Sequence, residues 1–254
     1  MFERFDLRKR ARAAGLHLLI SVAVAALAAG LVFGLWYPGA YRLMSGGREL
    51  FLLVTSVDVV LGPLLTFAVF NLKKGWPHLR RDLMVIGALQ LAALAYGLHT
   101  VYIARPVALM FEVDRFRVII AADVHEPELP EAPPGLRTLP LDGPRTLSLF
   151  MPEGEERTDA LFKAIGGLDL GQRPRYWRPY DDAARAQVLA KARPVKILLE
   201  HYPQRLAEFS ARLGEARLVP ERAKFLPVTA RGDWVAVLDE RGDVAAFIAA
   251  DGFF

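Results

Sequence analysis

A helix must supply about 20 predominantly apolar residues to cross about 30 Å of hydrocarbon, and three stretches of this chain meet that length. Residues 15–36 are interrupted only by His17 and Ser21, residues 50–70 carry one ionisable group at Asp58, and residues 83–103 carry Gln90 and His99. Beyond residue 104, Pro, Glu, Asp and Arg break every apolar run before it reaches that length. The chain therefore reads as a membrane protein with three N-terminal transmembrane α-helices and a small soluble α+β domain. Its expected divisions are a basic flank over residues 1–14, the helices over 15–103 and the soluble domain over 104–254.

The short flanks set a direction. Arg4, Arg8, Lys9, Arg10 and Arg12 precede the first span and Lys73, Lys74, Arg80 and Arg81 follow the second, whereas the first connection holds only Arg42 and Arg48. The positive-inside rule places the N-terminus and the 73–81 connection in the cytoplasm, so three crossings deliver the C-terminal domain outside, into the periplasm of a Gram-negative cell. A cleaved signal peptide is the competing reading of the first span, with Ala26-Leu27-Ala28 as its cleavage site. The apolar run continues past that site to Trp36 and Tyr37, which suit the aromatic belt of a retained anchor.

Asp58 is the most informative intramembrane residue, because an aspartate at a helix centre costs about 2.5–3.5 kcal/mol on insertion scales and seldom faces lipid. A span beginning at Leu50 puts it roughly 12 Å below the outer end, level with Tyr96 on the third span and a turn below His99. The expectation is a hydrogen bond from Asp58 to Tyr96 or His99, with Arg48 snorkelling from the outer edge as the alternative. Gly62-Pro63 follows four residues later, and proline frees a carbonyl near Val59 that Thr55 or Thr66 could satisfy. Structural glue and a binding notch both remain open for this cluster. The small residues Ala25, Ala29, Ala88 and Ala92 permit close helix approach.

In the C-terminal part, 107–113 and 116–122 read as a hairpin around Asp114-Arg115, and 146–150 as a short strand. Six prolines within 126–144 predict an exposed irregular loop. Helices are expected over 155–165 and 181–192, with Gly166-Gly167 as a C-cap. Val195, Leu198, Leu199, Tyr202, Leu206, Phe209 and Leu213 share one helical face, kinked or restarted at Pro203. Strands follow over 224–229, 234–238 and 244–249, and the two Arg-Gly-Asp tripeptides at Arg231 and Arg241 fit turns better than adhesion sites.

No chemistry stands out. The chain has no cysteine, its five histidines are scattered without ligand spacing, and no phosphate-binding glycine loop is present. No metal, cofactor or catalytic residue is therefore assigned. The net charge of +4 sits largely in membrane flanks, which argues against nucleic acid. Arg173-Pro174-Arg175-Tyr176-Trp177-Arg178-Pro179-Tyr180 is the most unusual run, and Arg173, Arg175, Tyr176, Trp177 and Arg178 are candidates for an external partner surface, or for a loop packed on the domain.

Trp36-Tyr37-Pro38, Ser45-Gly46-Gly47-Arg48-Glu49-Leu50-Phe51, Asp58-Val59-Val60-Leu61-Gly62-Pro63-Leu64-Leu65-Thr66, Gln90-Leu91-Ala92-Ala93-Leu94-Ala95-Tyr96-Gly97, Arg105-Pro106 and Phe111-Glu112-Val113-Asp114-Arg115-Phe116 together resemble the TfpX/TfpZ family of type IV pilin accessory proteins. The resemblance covers about residues 15–122 and carries no established catalytic residue. It implies a non-enzymatic inner-membrane helper of type IV pilus biogenesis whose partners are the lipid bilayer, a cognate pilin and other pilus assembly proteins. Arg48, Asp58, Gly62 and Pro63 match its motifs. Pilins are held in the inner membrane by one apolar helix with a head outside. The expectation is thus an intramembrane contact around Asp58, Gly62, Pro63, Tyr96, His99 and Arg48 and an external one at the Arg173 run. Two rivals are a pilin-modifying membrane enzyme of glycosyltransferase type and a periplasmic-ligand sensor. The first connection offers only Glu49 as an acid, and no sizeable cytoplasmic output domain is evident, which weakens both.

Overall fold

The computed structural model describes residues 2–71 and 75–254, with side chains described from Leu7 onward. Lys73 and Lys74 of the expected basic connection lie outside the described residues, as does the side chain of Arg4. The chain divides into two compact units, Met1–Arg42 with Gly46–Ala104, and Leu43–Ser45 with Arg105–Phe254.

The first unit is helical: α1 (Phe2–Leu31) runs on through a π-helical segment, Val32–Trp36, and is followed by α2 (Tyr41–Met44), α3 (Gly47–Val69) and α4 (Trp76–Ile103). Leu7–Trp36, Gly47–Val69 and Trp76–Ile103 are each long and apolar enough to cross a membrane. Leu19, Leu27, Leu53, Leu89 and Leu91 all stay exposed, which is favourable in hydrocarbon and costly in water. At one end Ala28, Val32, Tyr37, Phe51 and Val101 pack into a small core, closed by the Tyr37 hydroxyl, which donates to the Val101 carbonyl at 2.8 Å. Gly47 is required there, since a Cβ would overlap the Tyr37 ring. Gly46, at φ +70°, lets the chain turn into α3 from a left-handed conformation.

The second unit is a mixed sheet with helices. Strands β1 (Pro106–Glu112), β2 (Arg115–Ile120), β3 (Arg145–Leu149), β4 (Trp177–Pro179), β5 (Arg193–Pro194), β6 (Lys224–Ala230), β7 (Gly232–Leu238) and β8 (Val244–Ile248) alternate with α5 (Gly154–Ile165), α6 (Asp182–Lys191), α7 (Val195–His201) and α8 (Leu206–Glu215). The strand order is β4-β3-β1-β2-β6-β7-β8, with β5 also on β6, and β1–β3 and β2–β6 are parallel. One core gathers on β1 to β4 around Met110, Ile119, Leu147 and Trp177. A second lies between β6 to β8 and α7 and α8, around Leu198, Phe209, Phe225 and Val237. Asp181 caps α6 by accepting from the Ala184 N–H at 2.9 Å. Both Arg-Gly-Asp glycines sit at positive φ, Gly232 at +78° as the first residue of β7 and Gly242 at +89° in the β7–β8 connection.

One local expectation changes. The proline-rich 126–144 segment is not simply exposed: it starts with a 3-10 helix, Glu126–Glu131, and buries Glu128, Ala132 and Leu136 against the first core. Proline suits an ordered path as well as a loose one, because its φ is already set. Of the two outcomes expected at Pro203, the restart is the one observed, since a 3-10 turn, Pro203–Arg205, separates α7 from α8. The two-residue β5 and three-residue β4 carried no alternation long enough to read.

Candidate functional site: a polar-floored cleft among the membrane helices

Helix α3 packs against both α1 and α4, while α1 and α4 make no comparable packing with each other among the described residues. Among the described residues they converge at one end, where Tyr37 meets Val101 and Trp36 meets Tyr102 at 5.2 Å between rings. Further along, the gap between them holds a cavity of about 180 Å³. Its α1 wall is His17, Ile20, Ser21, Val24 and Ala25, its floor is Thr55 and Asp58 of α3, and its α4 wall is Gly87, Gln90, Leu91 and Leu94. Ile20, Val24, Ala25, Leu91 and Leu94 supply its aliphatic surface, and His17, Ser21, Thr55, Asp58 and Gln90 give the cleft its chemical character.

Those polar groups are mostly committed. Gln90 Nε2 donates to the Asp58 main-chain carbonyl at 3.1 Å, one residue before the carbonyl that Pro63 frees. His17 Nδ1 and Thr66 Oγ1 lie 2.5 Å apart, tying α1 to α3. Thr55 Oγ1 donates within its own helix to the Phe51 carbonyl at 2.8 Å. Asp58 Oδ1 is buried without a hydrogen-bond partner among the described residues.

The expected partners of Asp58 are elsewhere. Tyr96 is 75 % exposed, and His99 and Arg48 are exposed as well. The reason is a shift of origin: α3 begins at Gly47 rather than Leu50, which lowers Asp58 by three residues, roughly 4.5 Å, toward the level of Gln90. Gln90, Leu94, Gly97 and Val101 form the inward stripe of α4, whereas Tyr96 lies about 100° away from Gly97 on the helical wheel. Gln90 and His17 were legible as the polar interruptions of their spans; their depth relative to Asp58 was not.

Close helix approach rests on glycines. A Cβ at Gly62 would overlap the Gln90 side chain, and one at Gly97 would overlap Val54. Ala88 and Ala92 are exposed, so the Ala spacing on α4 does not set this contact. Gly87, by contrast, has open space where a Cβ would be, within the cleft.

The Arg173 run is a structural element rather than a surface. Arg173 is fully buried and pairs with Glu128, Nε and Nη2 reaching Oε1 at 3.0 and 2.7 Å. Tyr176 and Trp177 are buried too, and of the five candidate residues Arg175 and Arg178 retain exposure. The partner-surface expectation therefore fails for Arg173, Tyr176 and Trp177, because the run lies between two core-facing segments. What this domain leaves exposed is an apolar face on α5, with Leu161, Phe162 and Ile165 57, 70 and 82 % exposed.

Beside it Glu112 Oε2 accepts from Arg117 Nε at 2.9 Å, while Arg117 Nη1 donates to Asp169 at 2.8 Å. Gly171 makes room for this carboxyl, since a Cβ there would meet Glu112 Oε1. Burial pushes the Glu112 carboxyl above the usual carboxylate range, against the pull of Arg117, and nearby Asp169 adds to the rise. A carboxyl raised on folding keeps its proton longer in the folded domain, so its contribution to stability is lost as pH climbs from the ordinary carboxylate value through the raised one. Thermal unfolding should therefore show wild type gaining on Glu112→Gln as pH falls through the raised range toward the ordinary carboxylate value, at about 2–4 °C per kcal/mol for a domain of this size.

Among the described residues no group of three His, Asp or Glu side chains is placed to hold a metal ion. The family model described as fimbrial assembly protein FimB matches residues 5–46. The fimbrial assembly protein of serogroup I from Dichelobacter nodosus is 35 % identical over 247 residues, covering 96 % of both chains. The chain belongs to the fimbrial assembly protein family. Its relative from serogroup E1 is 35 % identical over 250 residues with the same coverage, and that from serogroups C1 and C2 is 43 % identical over 122 residues, 48 % of this chain and 93 % of that one. No solved structure gives a significant match. The stretch matched by the fimbrial assembly family model contains the whole α1 wall of the cleft and the Trp36-Tyr37 closure.

Proposed function

We propose that this protein is a non-enzymatic accessory protein of type IV pilus biogenesis in the bacterial inner membrane, and that the cleft between α1 and α4 receives the apolar helix of a pilin. The observation that carries the reading is a lateral gap in a three-helix unit, floored by α3 and lined by aliphatic side chains, in a family named for fimbrial assembly. A fourth helix laid there would cover Leu91, 69 % exposed, and Leu94 by the close van der Waals packing that drives association in lipid. The basic N-terminal flank and the Arg80 and Arg81 connection support a cytoplasmic N-terminus, with the C-terminal domain in the periplasm. There the Leu161, Phe162 and Ile165 face of α5 is suited to meet the pilin head. The relatives' names point to assembly rather than to a reaction, which favours this reading over a pilin-modifying enzyme.

Photoreactive residues test it. A probe replacing Leu91 on the cleft wall should capture pilin in native membranes, and one replacing Leu53, 67 % exposed and outside the cleft lining, should not. Gly87→Leu projects into the cleft from a position where a Cβ has open space, and improves helix propensity by nearly 1 kcal/mol. It should leave protein abundance intact while lowering capture at position 91, and surface pili with it, by about tenfold, the equivalent of about 1.4 kcal/mol of docking free energy. Capture of other proteins and never of pilin would overturn the proposal.

A further inference from the structure

The cleft carries His17 and Ser21 on its α1 wall, Gln90 on its α4 wall and Thr55 and Asp58 on its floor, and the floor has an unmet need. Asp58 Oδ1 is buried with no hydrogen-bond partner among the described residues, although His17, Ser21, Thr55 and Gln90 line the same cavity. The Gln90 amide is turned to the Asp58 main-chain carbonyl, His17 Nδ1 is held against Thr66, and the Thr55 hydroxyl is spent on Phe51. An acceptor left unsatisfied away from water costs free energy, and in hydrocarbon no water is at hand to relieve it. Gln90 is fixed by helix packing against Gly62, and Thr66, which holds His17, is 3 % exposed.

We propose that Asp58 selects the occupant of the cleft: the pilin helix that fits must interrupt its apolar surface with a hydrogen-bond donor at the depth of Asp58. The inference rests on the reading that the cleft takes a pilin helix. A helix that is apolar throughout would seal Oδ1 from any donor and leave the full cost in place. One bearing a hydroxyl, amide or amine at that level converts the same oxygen into an intermolecular hydrogen bond. The asymmetry is the basis of selectivity, because rejecting a ligand that lacks a required donor is cheaper to build than rejecting one with an extra methylene. Lipid acyl chains carry no donor and are disfavoured at the same place, which keeps the cleft available.

The test uses the full-length protein in native membranes, with the photoreactive probe at position 91 reporting pilin capture. Asp58→Leu removes the acceptor and should lower capture at least about tenfold at unchanged abundance, whereas Asp58→Asn keeps a carbonyl acceptor and should retain more of it. Apolar replacement of each polar residue along the pilin helix should then identify one position whose loss weakens capture by wild type yet changes nothing against Asp58→Leu. Should Asp58→Leu lower abundance, the same pilin series is read against Asp58→Asn, where that position should have a smaller effect than against wild type. Equal capture by wild type and Asp58→Leu, or effects on the pilin side that are the same in both backgrounds, would overturn the selectivity while leaving the cleft reading in place. Absence of pilin capture by wild type would remove the cleft reading itself.

Discussion

Arg173→Ala is expected to cost the C-terminal domain about 3–5 kcal/mol, the range found when one member of a buried ion pair is removed. Arg173 has no exposed surface, its Nε and Nη2 reach Glu128 Oε1 at 3.0 and 2.7 Å, and its guanidinium lies 4.7 Å from the centre of the Tyr176 ring. Glu128 is 7 % exposed, so alanine at position 173 strands a carboxylate that water barely reaches. Against a total domain stability of about 5–15 kcal/mol, that loss is large enough to deplete the folded protein in cells. Denaturant unfolding of the detergent-solubilised chain, followed through the buried Trp177, checks it. Arg212→Ala, whose partner Glu215 is also exposed, should stay within about 1 kcal/mol. The double change Glu128→Gln with Arg173→Met should recover most of the stability, because the penalty comes from the abandoned charge rather than from the pair's own strength. An Arg173→Ala protein as stable as wild type would mean that Glu128 is hydrated.

Gly97→Leu should have the second largest effect, because it acts on the contact that holds the cleft together. A Cβ at position 97 would overlap both γ-methyls of Val54, and a β-branched side chain in a helix has little rotamer freedom with which to step aside. Helices α3 and α4 must separate instead, at about 1–3 kcal/mol for an overpacked contact. Separation also lengthens the 3.1 Å bond from Gln90 to the Asp58 carbonyl, so the cleft floor loses its definition together with the helix pair. Membrane abundance and thermal aggregation should both worsen. Gly15→Leu, at a position with open space, should change neither. Gly97→Ala is the milder probe, and combining it with Val54→Ala should restore wild-type behaviour. Failure of that rescue would place the role of Gly97 outside its contact with Val54.

The two substitutions also separate what was legible in the chain from what was not. The existence and order of the three membrane helices follow from residue type over about 20 positions, a local property set by hydrocarbon thickness and helical rise. The β1–β2 hairpin, the three C-terminal strands and the glycine turns at Gly232 and Gly242 follow likewise from short-range patterning. Asp58 declared itself as an interior residue through its cost in lipid. Its neighbours did not, because a three-residue difference in where α3 begins changes which residues of α4 stand level with it. The Arg173 run illustrates the same limit from the other side. Arginine and tyrosine read equally well as surface or core until the tertiary fold brings a carboxylate 45 residues away into reach, and burial follows the partner rather than the residue type.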